Sequence, residues 1–303
     1  MRGWLSCCCL LLTACAGARP MPWRAAVGDG AAIARVADEF ARRNPGYGLA
    51  AAMACQELPR SDRARLAFVQ RGRATALVGD GAETMPRAEV AVGDLVVVPP
   101  GQVLRADAPL DLVVFTVPDT PADAPTFVRP DHDPQITDTP GGCATETGAY
   151  RRILLTWQRA KGPYTFHGLN AHRVRIDDSF SHYHPVVGGF DEFYLVQMSR
   201  AGARLLTSGR VDRIERPDDV MADEARLLLQ TTPLHVGDLV YLPRGLVHRG
   251  LGGALVQVIT VPGFVPGAEI GVDHHLRRIS DRLGLSPDAL PYHEPASHAP
   301  VVR

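Results

Sequence analysis

The sequence predicts a mainly β protein built as two small barrels in tandem, with one helix before them and one after. Three observations lead there. Short runs of branched and aromatic residues alternate with Gly, Pro and Asp turns over residues 47–118 and again over residues 151–261. The pattern Gly-Asp-Leu-Val-x-x-Pro-x-Gly occurs twice, at Gly93–Gly101 and at Gly237–Gly245, which marks an internal repeat. Amphipathic helical periodicity of useful length occurs only near the two ends.

Taken in order, residues 1–15 read as an export signal. Arg2 supplies the positive start, and Leu5–Leu12 form an apolar core too short to span a bilayer as a mature helix. Leu12-Thr13-Ala14-Cys15 is similar to a bacterial lipobox, which implies lipidation at Cys15 and an exported, membrane-anchored protein. A plain signal peptide, giving a periplasmic or secreted protein, is the alternative. Residues 16–46 hold a lead-in and a helix whose Ile33, Val36, Ala37, Phe40 and Ala41 share one face. Asn44-Pro45-Gly46 ends it, and its stripe is expected on the outside of a barrel.

Residues 47–118 form the first predicted barrel, with strands at Leu66–Val69, Ala74–Val78, Glu89–Val92, Leu95–Val98 and Leu112–Val117. Residues 119–142, rich in Pro, Asp and Thr, read as an extended surface linker. The second barrel is placed at 143–266, with strands at Ile153–Trp157, Arg173–Ile176, Leu227–Gln230, Leu239–Leu242 and Leu255–Val261. Residues 210–224 are read as a loop or short helix between strands. Residues 267–303 carry a helix with Leu276, Ile279 and Leu283 on its buried stripe and Gly284 as its cap, then an arm on the surface.

Chemistry-bearing residues concentrate in the second barrel. His182 and His184 flank Tyr183, so on a strand both imidazoles face one side. Glu192 opens the run Glu-Phe-Tyr-Leu-Val, a neighbouring strand. Pro243-Arg244-Gly245 turns the chain back toward the barrel with His248 just beyond. Three imidazoles and a carboxylate are costly to bury without a cation, and together they form a mixed N/O donor set for a transition metal. Tyr194 and Val196 share the face of Glu192 and are expected to line the cavity, with Arg244 placed to meet a carboxylate at its mouth. His167 and His172 lie just before the ligand strand, within reach of the mouth. The adjacent His274 and His275 point about 100° apart on a helix, which reads as an exposed pair.

At these residues the chain resembles the cupin superfamily of jelly-roll barrels. Gly237, Pro243, Gly245 and His248 match the second cupin motif, G-x5-P-x-G-x2-H-x3-N, with Gly252 in place of the final Asn. His182, His184 and Glu192 supply the residue types of the first motif, H-x-H-x3–4-E. Here residues 185–191 separate the second His from the Glu, and Ile176 stands where the motif has a leading Gly. Gly188 and Gly189 can form a wide turn that keeps Glu192 in register, and Asp191 is the alternative carboxylate. The first copy, Gly93–Leu104, keeps the turn residues but has Leu104 at the His position and Cys55-Gln56-Glu57 where a His-x-His would stand. The resemblance therefore implies two cupin-type barrels, the first degenerate, and one metal per chain held by His182, His184, Glu192 and His248.

It also implies a divalent Fe, Mn, Ni or Cu ion, with Zn admissible, and a metal-dependent enzyme. A dioxygenase acting on a small oxygenated organic substrate is favoured, with Glu192 as ligand and catalytic base. The alternative is a non-enzymatic surface lipoprotein that binds a sugar, a chelate or a metal. The formal net charge of −1 gives no electrostatic footprint for nucleic acid, and membrane contact is expected only through a lipid anchor. Cys55 and Cys143 either pair as a disulfide or remain thiols.

Overall fold

A computed structural model of the chain describes residues 19–81, 85–118, 122–139 and 150–303. The export signal, Cys15 and Cys143 lie outside these residues, and no disulfide forms among the residues described. Two antiparallel sheets dominate: a seven-stranded one within residues 48–128, and a ten-stranded, barrel-like one within residues 23–26 and 151–271. Each is organised by one long strand. Val103–Thr116 pairs with Gly48–Leu58, Arg65–Arg71 and Arg73–Gly79 in the first sheet. Val247–Val261 pairs with Asn170–Asp178, His182–Tyr183, Asp191–Ser199 and Arg204–Ser208 in the second.

The repeated turns explain why both sheets form. Gly93 and Gly101 have φ of 97° and 77°, and Gly237 and Gly245 have 85° and 87°. A side chain is disfavoured there, which is why glycine recurs in both copies. Leu104, at the position of His248, is buried in the apolar interior of the first sheet with Val69, Val78 and Val96. Glu57 is exposed and pairs with Arg105 at 3.0 Å. The first unit thus keeps the turn and fills the centre with hydrocarbon.

The helix Gly30–Arg43 starts on Asp29, whose carboxylate accepts from the Ala32 amide at 3.0 Å. Its place differs from the expectation. Rather than lying on the outside of one barrel, its Phe40 is buried in the seam, in edge-on contact with Phe115 of the first sheet and Phe193 and Tyr241 of the second. The preceding strand Trp23–Ala26 pairs with Asp238–Leu242, so the N-terminal segment belongs to the second sheet. Apolar residues at every second position of both sheets and at every third or fourth of the helix meet here in one shared core.

Other differences are local. The strands Gly48–Leu58 and Arg204–Ser208 were not expected. Leu227–Gln230 is replaced by the strand Gln230–Pro233 after short helices at Val211–Ile214 and Ala222–Ala225. The linker is partly structured, since Phe127–Val128 adds to the edge strand Leu95–Val98. The helix Asp273–Leu283 ends at Gly284 in the left-handed region, φ 61°, as the sequence indicates. The arm beyond it is docked: Leu290, His293 and Ala296 are buried, and Ile270 bridges to Val302.

Candidate metal centre

His182 and His248 are directly opposed across paired strands, with ring centroids 4.3 Å apart. His184 follows two residues later on the same face, its carbonyl accepting from the Gly245 amide at 2.8 Å. That bond ties the end of the His-x-His segment to the Pro-x-Gly turn, so the two motifs assemble one site. One nitrogen from each of the three imidazoles lies within 4.8 Å of the others, and all three side chains are buried.

The histidine orientations are set from outside the cluster. His182 Nδ1 lies 3.1 Å from the Phe180 carbonyl, and His248 Nδ1 lies 3.2 Å from the Leu246 carbonyl. A carbonyl can only accept, so each Nδ1 carries the proton and each Nε2 presents a lone pair. His184 is held likewise by the Phe190 backbone. Phe180 stacks on His182 at 4.4 Å and Phe190 packs on His184 at 3.9 Å. Both His184 Nε2 and His248 Nε2 are buried without a hydrogen-bond partner. Such orphaned lone pairs are expensive unless a cation takes them up, and the outward Nδ1–carbonyl bonds are the usual support of metal-binding imidazoles. Burial, together with the neighbouring His248, holds the His182 imidazole down to about 3 and that of His184 well below its usual value. Both are therefore neutral, as ligation requires.

Glu192 is buried beside this trio. Its carboxylate oxygens lie 3.8 Å from His184 Nε2 and 3.6 Å from His248 Nε2. The long interval between His184 and Glu192 is accommodated by a turn at Gly188, φ 78°, and by Gly189, where a Cβ would stand 2.2 Å from the Pro185 carbonyl oxygen. Asp191, the alternative carboxylate, is excluded by strand alternation. It faces the other way and accepts from Asn44 Nδ2 and the Tyr241 hydroxyl at 2.6 Å, and from the Arg244 amide and Nε at 2.8 and 3.0 Å.

That network also corrects the expectation for Arg244. Its guanidinium is committed to Asp191 and to the Arg43 carbonyl and Asn44 side chain, on the helix side of the sheet, away from the cavity. Tyr194 is not among the residues lining the cavity beside the trio. It is buried among Val174, Val240 and Val258 inside the barrel, with its ring edge-on to His248 at 6.5 Å. His167 packs near Trp157 and stands apart from the cluster. His274 and His275, on the C-terminal helix, lie with ring centroids 3.9 Å apart, tilted by 38°, and both are half-buried rather than exposed as the sequence suggests.

A cavity of about 200 Å³ opens beside the trio, with His182 and Glu192 in its wall. Ile153, Leu155, Val174, Val258 and Phe264 supply its apolar lining. His172 lines it too, its imidazole pushed down to about 3 by burial and by Arg151. Sequence reasoning missed Glu269. This buried residue lines the same cavity, and burial, reinforced by the charge of Glu192, pushes its carboxyl up to about 7. Its local sequence, Pro-Gly-Ala-Glu, carries no motif; only the pairing of Ile270–Gly271 with His182–Tyr183 brings it to the site.

No family model matches the chain, and no curated protein matches its sequence. Among solved structures it is similar to the Lactobacillus farciminis oxalate decarboxylase formate complex, at 14% identity and a TM-score of 0.47, over 81% of this chain and 87% of that one. A mutant Bacillus subtilis oxalate decarboxylase matches at 12% identity and a TM-score of 0.47, over 85% and 81% of the two chains. Hazelnut vicilin matches at 12% identity and a TM-score of 0.43, over 71% and 74%. These are likenesses of chain path only.

Proposed function

We propose that the chain is a metal-dependent enzyme, an oxidoreductase of dioxygenase type acting on a small oxygenated organic substrate. The observation that carries this reading is the buried trio His182, His184 and His248, with two orphaned Nε2 atoms and Glu192 alongside, next to a cavity. The three imidazoles would hold one divalent Fe, Mn, Ni or Cu ion, and Glu192 would complete the donor set. When bound, the ion supplies Lewis acidity and redox capacity toward substrate oxygens and O₂. The chain's own residues do the rest. The carbonyl-anchored imidazoles keep the ligand geometry fixed, the apolar wall excludes water, and Glu192 can accept a proton from a substrate hydroxyl.

Metal analysis of the purified protein beside His184→Ala is the first test, with about one ion per chain expected in the wild type and little in the variant. Equal metal content in both would end the metal-centre reading. Oxygen-electrode assays of the loaded protein with flavonols, catechols, diketones and oxalate follow. Oxygen consumption with one of these classes supports the dioxygenase, whereas loaded protein inert to all of them is the behaviour of a binding protein.

A further inference from the structure

The buried polar atoms without partners among the described residues fall into groups. His184 Nε2 and His248 Nε2 belong to the metal centre. Among the others, Glu269 Oε2 and Thr260 Oγ1 sit on residues that line the adjoining cavity, as does Arg151, whose charge acts on Glu269. Neither is explained by the metal trio, which is complete without them. Both are held on fixed backbone. Thr260 pairs with Glu192 on one side and Asn170 on the other, within the longest strand of the sheet. Glu269 donates its amide to the Arg303 carbonyl and accepts from the Arg303 amide, both at 3.0 Å, and precedes the strand paired to His182. A buried carboxylate oxygen or hydroxyl left unpaired is costly. Ligand oxygens that satisfy them recover that cost on binding.

We propose that Glu269 and Thr260 are the substrate-contacting pair of this cavity, and that they recognise a hydroxyl group on a small, single-ring phenol or enol. The inference rests on the metal-centre reading, because the substrate would lie beside His182 and Glu192. Three features define the ligand. Glu269 accepts from a donor when ionised and can donate when protonated, and Thr260 Oγ1 can do either, which suits an O–H group. The apolar lining residues Ile153, Leu155, Val174, Val258 and Phe264 suit an apolar ligand face. The volume, about 200 Å³, suits a small ligand.

The test uses the full-length protein loaded with redox-inert zinc and the chromophoric catechol 4-nitrocatechol as probe, followed by its visible absorption. The wild type is expected to bind it, and Glu269→Gln and Thr260→Val each to weaken binding at least tenfold while zinc content stays unchanged and both variants remain folded. Two isosteric variants guard against one failing to fold. Undiminished affinity in both zinc-loaded variants overturns the assignment of this pair. Zinc-loaded wild type that ignores the probe overturns it equally, leaving the metal centre intact. Failure of the wild type to hold zinc, manganese or iron defeats the metal-centre reading and this inference with it.

Discussion

His182 and Glu269 face the same cavity, and burial displaces their protonation in opposite senses along the pH scale. An unfolded chain would protonate His182 near 6.5, whereas the folded one does so only near 3. The folded state therefore binds fewer protons in that window, and the contribution of His182 to stability is lost as pH falls below 6.5. Glu269 runs the other way. Folded, it takes up its proton near 7; unfolded, near 4.5. Its folded carboxyl is favourable below 4.5 and becomes a liability as pH rises through 7, by up to about 3 kcal/mol. Glu269→Gln removes that liability with the same shape. The metal-free variant should be more stable than wild type at pH 8, by on the order of 1–3 kcal/mol, and nearly equal to it at pH 5. Urea unfolding at the two pH values measures this, and an equal gain at both would mean that Glu269 does not titrate as its surroundings dictate.

At the scale of elements, the segment Pro185–Phe190 decides whether the site closes. It must return the chain from His184 to Glu192, and it does so with Gly189 packed under the Pro185 carbonyl. Gly189→Ala would put a Cβ 2.2 Å from that oxygen, so the loop must shift or strain, at a cost of about 1–3 kcal/mol. If metal binding must restore the geometry, its dissociation constant rises roughly ten- to hundredfold, readable by competition with a chromophoric chelator. An unchanged constant would show that the loop does not position the ligands. The same segment shows where the sequence could be read and where it could not. The His-x-His pairing rests on strand alternation, which is local, so it was legible. So was the choice of the second unit, because Leu104 in the first cannot ligate. Asp191 and Glu192 are chemically alike and adjacent, and only the strand's facing, fixed by Tyr241 on the paired strand and Asn44 at the helix end, separates them. Arg244 looked free because its partner Asp191 lies far off in sequence. Glu269 was invisible for a related reason: a two-residue strand and a distant backbone partner carry no periodic signal.

For the whole molecule, the question is whether a degenerate barrel without ligands matters to the site in the other. Phe40 answers it physically. The ring is fully buried and meets Phe115 at 6.0 Å, Phe193 at 4.9 Å and Tyr241 at 6.0 Å, so one helix residue joins both sheets. Phe193 adjoins Glu192 on its strand, and Tyr241 holds Asp191, the residue before it. Side chains that pack on Phe40 thus sit on the reverse face of the strand bearing the candidate carboxylate. Gln257 Nε2 donates to the Gly93 carbonyl at 2.8 Å, which adds a polar tie between the second sheet and the first turn motif. A core shared in this way makes the two sheets unfold together rather than in turn. Phe40→Ala should therefore lower stability by about 3–5 kcal/mol, in one transition for the whole chain. Loss of far-ultraviolet ellipticity and release of bound metal should coincide, in wild type and variant alike. Two separated transitions, with metal retained through the first, would mean that the ligand-free barrel is an independent neighbour. Coincidence would make it the buttress against which the metal-bearing sheet is folded.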